Sequence, residues 1–258
     1  MTVAEALILN PKVTQSLALL ATTLGRDKLY RLIQYASRVI AWHLARNGRV
    51  SIASRFDALK GALGQARKVM RVFKPLENLQ AAVKIADSPI KGATSSEHLA
   101  KASQFTRQLC YATYLSTDSI IWLQFAKFLR LDKDKMARIS RISQKAWFFG
   151  IVFSLISSVA GLVNLRAQSR RYALQADVVP TGDEKDPAAF EVERRKQGRA
   201  LLAQRQTIVS QLVTDLFDFW IPANNLGYVN LNDGVVGMAG VITSYIALQK
   251  AWAKHARK

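Results

Sequence analysis

Apolar residues recur at helical spacing along most of the chain, and the clear alternation of a strand is absent. A first apolar stretch opens at Pro11 and runs to about Leu24, where Gly25 and Asp27 punctuate it. In "DKLYRLIQYASRVIAWHLAR" the positions Leu29, Leu32, Ile33, Ala36, Val39, Ile40 and Leu44 share one stripe, with Arg31, Gln34 and Arg38 elsewhere. "RNGR" ends that element. The next, "RFDALKGALGQARKVMRVFKPL" (residues 55–76), is stopped or bent by Pro75. "ADSPIKGATSSEHL" (86–99) reads as a loop, and an aromatic, apolar helix follows around residues 97–130.

From Ala146 to Leu165 the sequence "AWFFGIVFSLISSVAGLVNL" carries no formal charge. At roughly 1.5 Å per residue it spans roughly 30 Å, the hydrocarbon thickness of a bilayer. Lys145 flanks one end, Arg166, Arg170 and Arg171 the other, and Trp147 falls at interface depth. The competing reading is a buried core helix, because Ser154, Ser157, Ser158 and Asn164 weaken the hydropathy. A polar connector, "QADVVPTGDEKDPAAFEVERRKQGR", comes next. A last apolar stretch, Gly234 to Gln249, is short for a span; its Gly234, Gly237 and Gly240 would admit a close neighbouring helix. The expected organisation is a basic helical region (1–145), a hydrophobic membrane segment (146–165), a polar connector and helix (166–233), and a short hydrophobic segment with a basic tail (234–258).

Plotted at about 100° per residue, the 55–76 segment separates into two faces. Phe56, Leu59, Leu63, Met70 and Phe73 belong to the apolar one; Lys60, Arg67, Lys68, Arg71 and Lys74 form a cationic one, with Asp57 the only acid among them. An apolar stripe of this kind packs against neighbouring helices in most globular proteins. A nearly uniform cationic face instead suits a helix lying in a headgroup layer, where each Lys or Arg contributes about 1 kcal/mol on an anionic surface. A coiled-coil seam is third, because charge alternation is missing. Membrane binding is the expectation: the apolar face inserts and the cationic face holds anionic headgroups.

Charge supports that choice. The chain has 37 Lys and Arg against 18 Asp and Glu, a formal +19, which calls for a polyanionic partner. Before Ala146 there are 24 Lys/Arg and nine acids, whereas Arg166 to Asp233 holds nine of each. If both hydrophobic segments cross, the termini share the basic side, taken as cytosolic. Nucleic acid is not expected as a partner, since no recognition-helix, zinc-finger or RNP pattern is present.

Catalytic constellations are not found. His43, His98 and His255 are isolated and show no metal-ligand spacing. Asp215 and Asp218 could pair for acid–base work, but a helix-start or capping role suits them better. Cys110, within an apolar stretch, reads as a buried small residue. No enzyme activity, cofactor or metal is expected.

Two stretches carry a family resemblance. "GRDKLYRLIQYASRVIAW" (25–42), with Gly25, Arg26, Asp27, Lys28, Arg31, Gln34 and Tyr35, resembles the N-terminal signature of the peroxin eleven family of peroxisomal membrane proteins, of the fungal type. "DLFDFWIPANNLGYVNLNDGVVGMAGVITSYIAL", with Gly237, Gly240 and Ser244, is similar to its C-terminal segment. The resemblance implies a peroxisomal membrane protein that elongates and tubulates the organelle before fission. It also implies self-association into homo-oligomers and cooperation with dynamin-related GTPases and their adaptors. By position and character, residues 55–74 match the family's remodelling helix. A pore for metabolites, lined by Ser154, Ser157, Ser158 and Asn164, is the rival reading, and a scaffold built on Arg26 to Arg46 is another. The fold expected is all-α and membrane-associated, with amphipathic helices and one or two hydrophobic membrane segments.

Overall fold

The computed structural model describes residues 8–90, 94–176 and 187–255. Part of the 86–99 loop, much of the polar connector and the end of the basic tail lie outside them. Among the described residues the chain forms nine helices and no strand, as the periodicity predicts. They are α1 (Pro11–Leu20), α2 (Thr23–Arg46), α3 (Val50–Val69), α4 (Lys74–Asp87), α5 (Ser95–Phe125), α6 (Lys133–Ala176), α7 (Pro187–Asp218), α8 (Trp220–Asn225) and α9 (Asp233–His255).

Local chemistry sets several of the boundaries. Asn10 caps α1 by accepting from the Lys12 N–H (2.9 Å), with Pro11 opening the helix. Thr22 caps α2 by accepting from the Gly25 N–H (3.0 Å). The expected continuous helix over 55–74 ends at Val69 instead. A proline ring clashes with the carbonyl four residues earlier, which for Pro75 is that of Arg71. The chain therefore leaves the α-ladder at Met70–Phe73, where Arg71, Val72 and Lys74 donate to carbonyls only three residues back. Pro75 then sits in the first turn of α4, where a missing N–H costs nothing.

The chain divides into two compact units. Unit 1 gathers the N-terminal residues up to Glu77, Tyr111–Phe148 and Phe217 onward; unit 2 gathers Asn78–Cys110 and Phe149–Leu216. In unit 1, Tyr35, Ile221 and Val236 form the buried apolar nucleus, with Trp147, Leu231 and Val241 against it. Trp147 stacks on Tyr114 with ring centroids 5.4 Å apart.

Both units bury polar side chains and turn large apolar ones outward. Asp27, Arg31, Arg67, Asp118, Thr243 and Ser244 are buried in unit 1, and Ser103, Ser154, Ser157, Ser158 and Asp215 in unit 2. Ile52, Phe73, Leu76, Val159, Val163 and Val209 are exposed. Water-soluble chains rarely bury unpaired charge or present so much large apolar surface. A hydrocarbon surround removes the penalty on the outside and rewards internal pairing of polar groups.

The 146–165 segment lies inside α6, and among the described residues α6 is the one helix long and apolar enough to cross a membrane. Only 33% of its most apolar 18-residue window is buried, against the mostly buried surface of a soluble core helix.

Candidate membrane-binding site

The two ends of the chain meet in unit 1, where α9 packs along α2. Gly237 faces Val39 and the Tyr35 carbonyl; a Cβ there would lie 2.6 Å from the Val39 side chain. A Cβ on Gly240 would fall 2.2 Å from the Tyr35 ring, and one on Gly234 would meet the Trp42 indole at 2.7 Å. The three-residue glycine spacing thus lets α9 lie against aromatic and β-branched side chains. Gly25 permits a similar approach to the Leu19 carbonyl at the α1–α2 corner.

Four carboxylates then fasten the cationic residues of unit 1. Asp27 accepts from Arg67 Nε at 3.0 Å, and Arg67 Nη1 donates to Gln34 Oε1 at 2.8 Å. Asp118, on α5, receives Lys68 Nζ at 3.1 Å and Arg71 Nη2 at 2.7 Å. Asp218 accepts from Arg31 Nη2 at 2.6 Å and from the Thr243 hydroxyl at 2.7 Å. Arg38 grips Asp233 through both Nη2 (2.6 Å) and Nε (3.0 Å), placing an acid in the first turn of α9 where the helix dipole favours it. The Arg31 guanidinium also lies 5.4 Å from the Tyr35 ring centroid.

Burial opposes charge on both sides of these pairs; the partners overcome it at Asp27 and Arg31, whereas burial wins at Arg67 and Lys28, leaving the Arg67 guanidinium below its ordinary value and Lys28 at about 8. For Asp27, desolvation pushes the carboxyl upward, but the Arg67, Lys28 and Arg71 charges hold it down at about 2. Burial likewise works against Arg31, yet Asp218 with Tyr35 and Asp27 raises it above the usual guanidinium range. Because the folded-state pKa of Asp27 is depressed, its stabilisation is present above the ordinary value of 3.8 and disappears as pH falls towards 2. Thermal unfolding of the protein in mild detergent should therefore lose the Asp27 contribution between about pH 4 and 2. An Asp27→Asn chain should show a shallower acid dependence in that window.

These pairs fix the orientation of α3. Ala53, Gly64 and Arg67 share the side turned to the protein, with Gly64 close against Gln34. Ile52, Leu59, Val69 and Phe73 are exposed, Phe73 at 80%. The apolar stripe is divided: Phe56, Leu63 and Met70 are partly covered, Leu59 and Phe73 look out, and Arg67, Lys68 and Arg71 pair inward. On α4 the pattern continues with Leu76, Leu79 and Val83 exposed.

Of the residues singled out for headgroup contact, Arg67, Lys68 and Arg71 are paired inside unit 1, and Lys60 pairs with Asp57 at 2.5 Å within α3. Lys74 opens α4. On the inserting face Leu59 and Phe73 are exposed, while Phe56, Leu63 and Met70 are partly covered. The motif residues converge: Asp27, Arg31, Gln34 and Tyr35 contact Arg67, Asp218 and the α9 glycines, and the Ser244 hydroxyl returns to the Gly240 carbonyl at 2.5 Å. Arg26 Nε donates to the Leu20 carbonyl (2.6 Å), and Lys28 pairs with Asp27 (3.2 Å).

Asp215 and Asp218 stand at the end of α7, so a helix-start role is excluded; each is an acceptor instead, Asp215 taking Ser154 Oγ at 2.5 Å and Gln211 Nε2 at 2.8 Å within unit 2. Asp118 escaped the sequence reading. Its signal was there: a lone acid in "YATYLSTDSIIW" has to find a buried cation. Cys110 is half-buried.

The model of the peroxisomal biogenesis factor 11 family matches residues 13–252. Peroxisomal membrane protein PMP27 of Saccharomyces cerevisiae is 30% identical over 250 residues, covering 97% of this chain and 98% of that protein. Peroxisomal biogenesis factor 11 of Schizosaccharomyces pombe is 24% identical over 249 residues, with 94% and 96% covered. Human peroxisomal membrane protein 11B is 22% identical over 252 residues, with 88% and 92% covered. No solved structure matches.

Proposed function

The chain belongs to the peroxisomal biogenesis factor 11 family, and on that premise we propose that it is a peroxisomal membrane protein that bends and elongates its membrane by inserting α3 into one leaflet. The observation that carries this reading is the exposure of Leu59, Val69, Phe73 and Leu76 in unit 1, with buried ion pairs holding α3 from the other side. Leu59, Val69, Phe73 and Leu76 enter the acyl boundary, where each large side chain contributes about 1.5 to 3 kcal/mol when fully buried. Area added to one leaflet favours positive curvature.

The cationic residues have two jobs in this reading. Arg67 and Arg71 bind the wedge to α2 and α5, so that it enters lipid as part of a rigid unit. Lys60 and Lys74, nearer the surface, meet anionic headgroups; Arg67, Lys68 and Arg71 join them where lipid phosphate competes with Asp27 and Asp118. Self-association concentrates the wedges. Cytosolic termini, and cooperation with a dynamin-related GTPase and its adaptors, complete the proposal on the strength of the family.

The test is tubulation of anionic vesicles by the purified full-length chain. Leu59→Asp with Phe73→Asp should leave helicity unchanged, since both positions are exposed, and should abolish tubules by removing the inserted face. Tubulation undiminished in that double variant sinks the wedge.

A second reading, a solute pore, draws on the position of Ser154, Ser157, Ser158 and Asn164, which line one polar cleft in unit 2. Conductance in planar bilayers that is lost in Ser157→Leu would support it; a silent bilayer would remove it.

A further inference from the structure

Unit 2 contains an open cleft of about 490 Å³ lined by polar stripes from α5, α6 and α7. Ser154, Ser157 and Ser158 of α6 form its buried floor, and Gln104 of α5 and Gln204 of α7 stand exposed on its rims. The polar positions of each helix repeat every three to four residues, so each helix turns one stripe into the same space. Away from the cleft Leu109, Val159, Val163, Leu202, Val209 and Val213 are exposed, and α7 also exposes Lys196, Arg199 and Arg205 towards its N-terminal half. Along α6 the lining runs from Ser154 to Gln168, about 21 Å at 1.5 Å per residue, against a hydrocarbon core of about 30 Å.

Such a lining does not suit hydrocarbon. Ser154 and Asn164 have partners in Asp215 and Ser96, but an open side lined by hydroxyls and amides favours water or a polar ligand over hydrocarbon. Glu97 Oε2 has no hydrogen-bond partner among the described residues. Lys101 straps the Ala86 and Ser88 carbonyls (2.8 and 2.6 Å), and Arg107 contributes the guanidinium, a group whose donor fork fits phosphate. A polar track with an open side, flanked by exposed apolar side chains such as Leu109, Val159, Val163, Val209 and Val213, accommodates one class of molecule well: a lipid whose headgroup follows the track while its chains stay in hydrocarbon.

We propose that this cleft carries phospholipid headgroups between leaflets, making the protein a passive lipid scramblase. The proposal rests on the reading that α6 crosses the bilayer, and goes beyond membrane bending. It also meets a need of bending, since wedges that expand one leaflet leave the two unequal in lipid number until exchange relieves the difference.

The full-length chain is reconstituted into phosphatidylcholine–phosphatidylserine vesicles carrying trace NBD-phosphatidylcholine, and dithionite is added outside. Bleaching is expected to proceed past the outer leaflet's share in protein-containing vesicles, while NBD-glucose sealed in parallel vesicles stays fluorescent. Ser154→Leu/Ser157→Leu/Ser158→Leu should slow exchange by roughly tenfold or more, the effect of adding about 1.4 kcal/mol to the barrier. Gln104→Leu/Gln204→Leu, on the exposed rims, should slow it in a chain whose packing is undisturbed.

Bleaching confined to the outer leaflet, exchange unaltered in both variants, or equal loss of sealed NBD-glucose would each overturn the proposal, the last by revealing a solute pore. Alkaline carbonate extraction of the same vesicles separates the premise from the inference. A chain stripped from the lipid overturns the crossing of α6 and scrambling with it; a retained chain that exchanges no lipid overturns scrambling alone.

Discussion

Asp27→Asn should lower the stability of the protein by about 3 to 5 kcal/mol, the usual cost of removing one partner from a buried ion pair. The substitution keeps the shape of the side chain and removes only its charge. Arg67, itself buried and pointing at Asp27 from 3.0 Å, would then stand without its counter-ion in a site that water does not reach. Arg71 and Lys28 lean on the same carboxylate electrostatically, so the loss spreads along the α2–α3 seam. In mild detergent the thermal midpoint should fall by an amount of the order of 10 °C. Replacing both partners, as Asp27→Asn with Arg67→Gln, should restore part of the loss, because no uncompensated charge remains. A single variant with an unchanged midpoint would mean that α3 is held by something other than this pair.

Gly240→Leu should be at least as damaging, by a different route. Overpacking a well-filled interior usually costs about 1 to 3 kcal/mol and more where nothing can give, and here even the first carbon of a side chain would lie 2.2 Å from the Tyr35 ring. Since Tyr35 belongs to the apolar nucleus with Ile221 and Val236, neither partner can move away without opening that nucleus. The expected result is a chain that no longer yields a cooperative unfolding transition. Gly61→Ala is the control. Gly61 is exposed on α3 with open space around it, so the exchange should stabilise the helix by up to about 1 kcal/mol. If both substitutions behaved alike, the close approach of α9 to α2 would be wrong.

The helical class, the uncharged 146–165 segment and the family were legible in the sequence, each for a reason that is local. Periodicity shows which residues of α3 share a face. It does not show which face turns inward, because that is decided by Asp27 and Asp118, some 40 to 50 residues away along the chain. A cationic face and an apolar face both looked suitable for lipid; only the carboxylates behind Arg67, Lys68 and Arg71 separate them. The break at Met70–Phe73 was readable from Pro75, but its position follows from the ring reaching back to the carbonyl of Arg71 rather than from Pro75 itself. The glycine spacing of 234, 237 and 240 announced a close neighbour without identifying it. That neighbour is the N-terminal motif, so the two stretches that carry the family resemblance are the two halves of one helix contact.

The most direct test of this account asks which side of α3 meets lipid in the full-length protein. Single cysteines at positions 59, 69 and 73, and at 64 for the opposite face, would be labelled with NBD in a Cys110→Ser background and reconstituted into anionic vesicles containing brominated phospholipid. Strong bromine quenching is expected at 59, 69 and 73, and none at 64. Quenching at 64 with 59, 69 and 73 left unquenched would contradict the insertion of this face.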